Sequence, residues 1–440
     1  MPNSKHEIVS SIEIRKEDLD SLRTKIKSWP DAEAVFSSFA DASSASSTSD
    51  FFAVILAAGL AMDASDIHLE SAKQDFLLRF RVDGLLHDVS RFPGSFYSKI
   101  LSRIKLLSGL KINIINTPQD GRFTIKIENS EIEVRVSTLP SEFGEAVVMR
   151  ILNPKEIGLT LADLGLRSDN ADILSREIKK PNGMILVTGP TGSGKTTTLY
   201  ACLKAVANPE LKIITIEDPI EYHLSGIEQT QADVESGYTF ASGLRSILRQ
   251  DPDVILVGEI RDGETAEIAI HASLTGHLVF STLHTNSAIG AVPRLIDAGI
   301  KPSVIGPALT LVIAQRLLRR LCPNCRREVA ISPEISSKIE KLMSAMPKAV
   351  NPYITAPKIY ESVGCDKCHD GYLGRVGLFE FLKLDDDFEA LINKDATEAA
   401  IRKLAFEKGF VNMQIDGILK ALAGITTLQE VEKATGPLEW

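Results

Sequence analysis

One stretch constrains this chain more than any other: Gly189-Pro-Thr-Gly-Ser-Gly-Lys-Thr196. It follows the apolar run Met184-Ile-Leu-Val187 and precedes Thr197-Thr-Leu-Tyr-Ala-Cys-Leu203, which suits a helix. A buried strand, a glycine-rich turn and a helix N-terminus, in that order, make a phosphate-binding P-loop. Gly189, Gly192 and Gly194 let backbone N–H groups close around phosphates without Cβ clashes, and Pro190, Thr191 and Ser193 complete the turn. Lys195 brings a positive charge to the β- and γ-phosphates, and the Thr196 hydroxyl is placed to ligate Mg²⁺. A glycine-rich turn with a stray lysine would not need every one of these positions. The stretch implies that the chain binds a nucleoside triphosphate, taken to be ATP, with Mg²⁺.

Composition narrows the rest. The 440 residues are enough for about three domains. A net charge of -9 argues against a chain that works by neutralising nucleic-acid phosphates, so no nucleic-acid partner is expected. Met1 to Asp20 is polar and charged, unlike a secretory signal. The longest apolar run, Phe51 to Met62, is too short to span a bilayer. A soluble cytoplasmic protein is the expectation.

Along the chain, residues 1–49 read as a short N-terminal segment followed by a Ser-rich linker from Ser37 to Ser49, with Asp50 capping a helix from Phe51. Residues 50–152 read as an α+β domain. It contains a hairpin around Val82-Asp-Gly84, a helix from Phe96 to Leu107 ended by Gly109, and strands at Phe123–Ile127, Glu131–Val136 and Ala146–Leu152. Asn153-Pro154 opens a connector over 153–163, and Ile151–Thr160 is the expected hinge. Residues 164–321 alternate strand and helix signals, as a parallel α/β sheet should. Its strand candidates are Met184–Val187, Lys212–Ile216, Val254–Val257 and His277–Thr282, all nearly apolar. Residues 322–380 hold two cysteine pairs, and 381–440 read as a C-terminal helical module, polar enough for the surface.

Three strands end in chemistry. Lys212-Ile-Ile-Thr-Ile216 runs into Glu217-Asp218-Pro219, with Glu221 close behind. Acids at the C-terminal edge of a parallel sheet lie where ligands of such folds bind, and one of them is able to orient an attacking water. A capped strand-to-loop turn explains the same residues equally well. Asp251-Pro-Asp-Val-Ile-Leu-Val-Gly-Glu259 places Glu259 where a P-loop enzyme needs an acid for Mg²⁺, since Gly258 stands at the usual Asp position. Thr275-Gly-His-Leu-Val-Phe-Ser-Thr-Leu-His284 carries His277 and His284, read as polar groups at one sheet edge that sense the γ-phosphate.

Taken in order, the P-loop, "TIEDPIEY", "LRSILRQDPDVILVGEIRDGETA" and "TGHLVFSTLHTN" closely resemble the secretion and type IV pilus ATPases, with their Walker A, Asp-box, Walker B and His-box motifs. "ASDIHLE", "FRVDG", "PQDGRF" and "VRVSTLPSEFGEAVVMRIL" are similar to that family's N-terminal α+β, PAS-like domain. The resemblance spans residues 50 to 430. It implies a RecA-like P-loop ATPase domain in an α/β fold. It makes Glu217 and Glu259 the acidic pair at the γ-phosphate and Mg²⁺, and His284 the His-box histidine. Arg135 and Arg150 become catalytic arginines, while Glu221, Arg245, Arg249, Arg261 and His277 are nucleotide or subunit contacts. The sequence departs from the pattern in its short N-terminus and in "GLKINIINTPQDGR", which lacks the basic pair often found before this Pro-Gln-Asp-Gly-Arg.

Cys322-Pro-Asn-Cys325 and Cys365-Asp-Lys-Cys368 form two knuckles able to share one tetrahedral Zn²⁺, whereas a redox dithiol or unligated thiols are the rivals. Cys202, in the apolar helix after the P-loop, reads as a core residue. Within the resembled family a tetracysteine module implies assembly rather than retraction. The expectation is a homohexameric motor ATPase that builds a pilus or pseudopilus. It would act at the cytoplasmic face of the inner membrane, held there by a platform protein of the machine. A pilus-retraction motor, a DNA translocase or a non-hydrolysing ATP-binding adaptor are the alternatives.

Overall fold

The computed structural model describes residues 10–41, 48–152, 158–346 and 358–439. They form two compact units, residues 1–156 with 364–373, and residues 157–363 with 374–440.

Alternation of apolar and polar residues builds the first unit. Its strands are β1 (Ser11–Glu13), β2 (Asp66–Ser71), β3 (Asp75–Val82), β4 (Leu85–Pro93), β5 (Gln119–Ile127), β6 (Ser130–Ser141) and β7 (Gly144–Leu152). They pair in the order β1-β5-β6-β7-β2-β3-β4. In β3, Phe76, Leu78, Phe80 and Val82 are buried and the residues between them are not, the period-2 pattern of a one-sided sheet. The β3–β4 turn is made by Asp83 at φ 49° and Gly84 at φ 85°, the left-handed pair that a two-residue hairpin of this twist requires. Helices Thr48–Ala61 and Gly94–Leu107 cover the apolar face with Phe51, Phe52, Ile55, Ile100 and Ile104.

The N-terminal expectation needs correction. Residues 1–49 are not merely a segment and a tether. β1 pairs in parallel with β5, and helices Lys16–Lys25 and Trp29–Asp41 put Leu19, Leu22 and Phe36 into the same core. Phe36 meets Phe51, Phe80 and Phe92 edge-on, with ring centroids 6.1–6.3 Å apart. That burial outweighs the weak helix propensity of the serines, so Ser37 to Asp41 continue the helix. Residues 42–47 of the predicted linker lie outside the described residues. The following helix starts at Thr48, which leaves Asp50 in its first turn rather than at its cap. Of the connector, Asn153 to Ile157 lie outside the described residues, and Thr160 caps the turn Leu161–Leu164.

The second unit holds a seven-stranded sheet of β8 (Gly183–Thr188), β9 (Ile213–Glu217), β10 (Glu228–Gln231), β11 (Val254–Val257), β12 (Leu278–Leu283), β13 (Leu309–Leu321) and β16 (Tyr372–Lys383). The order is β10-β9-β11-β12-β8-β13-β16. β9, β11, β12 and β8 run parallel, and every residue of these four strands is buried, as their apolar composition predicts. β14 (Arg327–Val329) and β15 (Ile359–Glu361) form a separate antiparallel pair.

Two expectations change here. Residues 372–380 do not belong to a free-standing cysteine module, because β16 is a strand of the large sheet. Nor do the C-terminal helices form a polar surface module. Asp386–Lys394, Glu398–Glu407, Met413–Leu422 and Leu428–Thr435 place Phe388, Ile392, Ile401, Ile418 and Val431 in one core with Met184, Leu186 and Val257. Their polar surface is the outer half of amphipathic helices.

A buried ionic knot closes this unit. Asp416 bonds Arg167 at 2.6 Å and Lys420 at 2.7 Å, and accepts from the Phe379 backbone at 2.8 Å. Lys420 also donates to the Gly377 carbonyl at 2.6 Å. Burial pulls the Lys420 ammonium below its usual pKa, against the charge of Asp416. Asp416→Ala strips the shared counter-charge from two buried cations. Such losses cost about 3–5 kcal/mol, so the variant is expected to unfold at a clearly lower temperature by calorimetry. An unchanged transition would show that the knot is not stabilising.

Candidate nucleotide site

The loop that follows β8 has the backbone its glycines permit. Gly189, Gly192 and Gly194 have φ of 146°, 77° and 86°. A Cβ on Gly189 would lie 2.4 Å from the Gln315 carbonyl oxygen, and one on Gly194 would lie 2.8 Å from Gln315 Nε2. β13 therefore packs directly beneath the loop, and Gln315 is fixed there by Thr198, whose hydroxyl donates to its Oε1 at 2.7 Å. Lys195 opens the helix Lys195–Val206 and curls back, donating to the carbonyls of Gly189 at 2.9 Å and Pro190 at 3.0 Å. Burial lowers the Lys195 pKa, with the Glu259 charge opposing. The Ser193 hydroxyl is buried without a partner. The cradle shape, the half-buried cation and this unpaired hydroxyl fit a phosphate chain.

The parallel register brings other groups to the same edge. Thr188, the last residue of β8, lies opposite Leu283, so His284 emerges beside the loop. Thr188 Oγ1 accepts from the Thr285 backbone at 2.8 Å, tying the two strand ends together. Glu259, just beyond β11, is bonded by Arg261 and lies 3.1 Å from His284 Nε2. Arg261 reaches Asp218 at 3.5 Å. Burial alone would raise the Glu259 pKa, but hydrogen bonds from Arg261 and His284 outweigh it and hold the carboxyl below its ordinary value.

Glu217 has different company. Its carboxylate is 2 % exposed and accepts from Thr215 Oγ1 at 2.6 Å, from Gln229 Nε2 at 3.1 Å and from the Tyr200 hydroxyl. Burial, and then the neighbouring Glu217, push the Tyr200 phenol well above its usual pKa. The backbone of Glu221 also lies against that hydroxyl. The two acids of the sequence reading thus occupy separate networks.

The remaining predicted residues divide. His277 precedes β12 and its Nδ1 meets the Ala272 carbonyl at 2.9 Å. It sits at the N-terminal edge of the sheet, about 20 Å of strand from His284, so the expected shared edge for the two histidines is corrected. Arg245 pairs with Glu264 at 2.5 Å, and Arg249 donates to the Arg245 carbonyl at 2.9 Å, both on the surface. Arg135 and Arg150 belong to the first unit, directly opposed on β6 and β7. Arg150 Nε donates to Asp66 at 3.0 Å, and Arg135 lies 3.6 Å from Glu133. Tyr200, Thr215, Gln229 and Gln315 escaped the sequence reading. Tyr200 lies within the helix beyond the glycine pattern, and Gln229 reaches Glu217 only through the parallel pairing of β10 with β9.

The Sγ atoms of Cys322, Cys325, Cys365 and Cys368 lie within 4.8 Å of one another. None of them forms a disulfide. Cys365 and Cys368 have their sulfurs 3.6 Å apart, close to the roughly 3.8 Å edge of a tetrahedral ZnS₄ centre. Cys202 is buried, with its thiol pushed up to about 12 by burial, as a core residue should be.

A P-loop ATPase built on a parallel α/β sheet is the class that this loop and this sheet define. The family model for "Type II/IV secretion system protein" matches residues 41–433, and the chain belongs to that family. It is 48% identical over 373 residues to the type II secretion system protein E of Dickeya dadantii, covering 84% of this chain and 72% of that one. It is 40% identical over 435 residues to the type IV pilus assembly ATPase PilB of Myxococcus xanthus, covering 98% and 73%. The crystal structure of the pilus retraction motor PilT with bound ADP superposes with a TM-score of 0.56 at 26% identity, over 87% of this chain and 96% of that one. The chain is an ATPase of the secretion and pilus motors. No helix among the described residues is long and apolar enough to cross a membrane.

Tyr200→Phe removes one donor from the buried Glu217 carboxylate. The expected loss is about 1–3 kcal/mol, visible as earlier thermal unfolding. Wild-type stability would mean that Thr215 and Gln229 suffice.

Proposed function

We propose that the chain is a homohexameric motor that couples ATP hydrolysis to assembly of a pilus or pseudopilus. The observation that carries this reading is the P-loop cation Lys195 on one sheet edge with the Glu259–Arg261–His284 cluster. Lys195 and the backbone of Gly189 to Thr196 would bind the triphosphate, and Thr196 and Glu259 would hold Mg²⁺. When bound there, the ion would supply charge neutralisation at the transferring phosphoryl. Glu259, kept ionised by Arg261 and His284, is suited to that position at neutral pH. Glu217, fixed by Tyr200, Thr215 and Gln229, is the second acid of the site. Arg245, exposed on the helix Phe240–Ile247, and Arg249, exposed just beyond its end, are assigned to subunit contacts.

One lysine and one divalent ion neutralise the developing charge only in part, and arginines from elsewhere commonly complete P-loop sites. Arg135 and Arg150 are assigned that role, acting on a neighbouring subunit's nucleotide. A chain carrying Arg135→Ala and Arg150→Ala is expected to be nearly inactive, as is Lys195→Ala. Mixing the two should recover phosphate release, because some interfaces then join an intact loop to intact arginines. No recovery in hexamers shown to be mixed by native mass spectrometry would overturn the shared site. Comparable turnover by Lys195→Ala and wild type would overturn the whole reading.

The four cysteines are assigned to a structural Zn²⁺, supported by their mutual distances. The ion would contribute metal-coupled folding energy and no open coordination position. Elemental analysis should find about one zinc per chain, and Cys365→Ser should lower both zinc content and melting temperature. A metal-free protein of undiminished stability would refute it. A named relative with the assembly role, PilB of Myxococcus xanthus, supports assembly over retraction. Peripheral attachment at the cytoplasmic face of the inner membrane, through a platform protein, completes the proposal.

A further inference from the structure

Five strands of the first unit carry charged residues in one transverse row. Arg122 on β5 faces Arg135 on β6, which faces Arg150 on β7. Arg150 then faces Asp66 on β2, and Asp66 faces Arg81 on β3. Their chain neighbours Phe123, Val134, Met149, Ile67 and Phe80 point into the core, so the row lies on the opposite face. Like charges directly across a sheet destabilise it. Four arginines with a single acid therefore cost stability, and in this row Asp66 has to serve two of them.

Asp66 is 5 % exposed, unusual for a carboxylate on the outer face of a sheet. Its Oδ1 accepts from Arg150 Nε at 3.0 Å, while Oδ2 accepts from Ser65 Oγ at 2.8 Å and lies 3.6 Å from Arg81 Nε. The bond to Arg150 uses Nε, not the terminal nitrogens that present a forked pair of donors to phosphate oxygens. The Arg150 side chain remains 56% exposed beyond that contact. A buried carboxylate bonded at Nε restricts a long side chain near its root, and its outer end stays at the surface.

We infer that Asp66 is a positioning residue for hydrolysis: it orients Arg150 towards phosphate, a role that rests on the assignment of Arg150 to the nucleotide. A guanidinium already held in place spends little reorganisation when charge develops at the transferring phosphoryl. Asp66 itself touches no nucleotide and moves no proton.

A double-mutant cycle on the full-length chain, measured as Mg-ATP hydrolysis, tests this. Asp66→Ala should lower kcat by up to about 100-fold while KM for ATP stays within about twofold, the effect of a misplaced group. In an Arg150→Ala background the same change should alter kcat by less than about twofold, because its target is gone. Asp66→Asn, whose oxygen still accepts from Nε, should restore most of the activity. Melting temperature and native mass are recorded for each variant. An equal further loss in the Arg150→Ala background, or activity lost only through unfolding or failure to assemble, would make Asp66 merely structural and overturn the inference. Full activity of Asp66→Ala with an impaired Arg150→Ala would overturn it while sparing the role of Arg150. Full activity of Arg150→Ala would remove both.

Discussion

The Gln315 carbonyl leaves no space for a side chain at Gly189. This contact sets the height of the phosphate loop above the sheet, because a Cβ there would sit 2.4 Å from the oxygen. It requires β13 beside β8, and the register of β8 with β12 then decides that His284 rises next to the loop. Strand order thus determines which polar groups share the C-terminal edge, and the side chains only elaborate what the sheet has placed.

Two glutamates end neighbouring strands of that sheet yet live in different surroundings. Glu259 is held by Arg261 and His284 at the protein's surface side, and its carboxyl stays easily ionised. Glu217 is enclosed, with Tyr200, Thr215 and Gln229 supplying donors to both oxygens. A carboxylate so surrounded is a rigid element that links the P-loop helix to β9, since Tyr200 belongs to that helix. The difference between the two acids follows from their neighbours rather than from their position at a strand end.

The first unit shows the same logic on an antiparallel sheet. Its apolar face is satisfied by helices, including two from the N-terminal residues, and its other face carries the arginine row with Asp66. The knot in the second unit is the counterpart in the core: Asp416 and Lys420 on one helix and Arg167 from far back in the chain are charges tolerable only together.

Much of this was legible in the residues alone. Short-range patterns sufficed for the P-loop, the four apolar parallel strands, the Val82-Asp-Gly84 hairpin and the cysteine pairs, because each is decided by a few adjacent residues. The family could be read from motif order for the same reason. What the sequence could not decide were pairings between distant segments. β16 and the C-terminal helices looked like separate modules because their partners lie far back in the chain, β13 for the strand and Met184 and Leu186 among those of the helices, and Ser37 to Asp41 looked like a tether until Phe36 had a core to enter. His277 and His284 seemed equivalent in the string, whereas a parallel strand puts them at opposite edges. Local backbone preference is written along the chain, but burial is a property of the assembled fold, and only the tertiary structure could say which polar groups it would bring together.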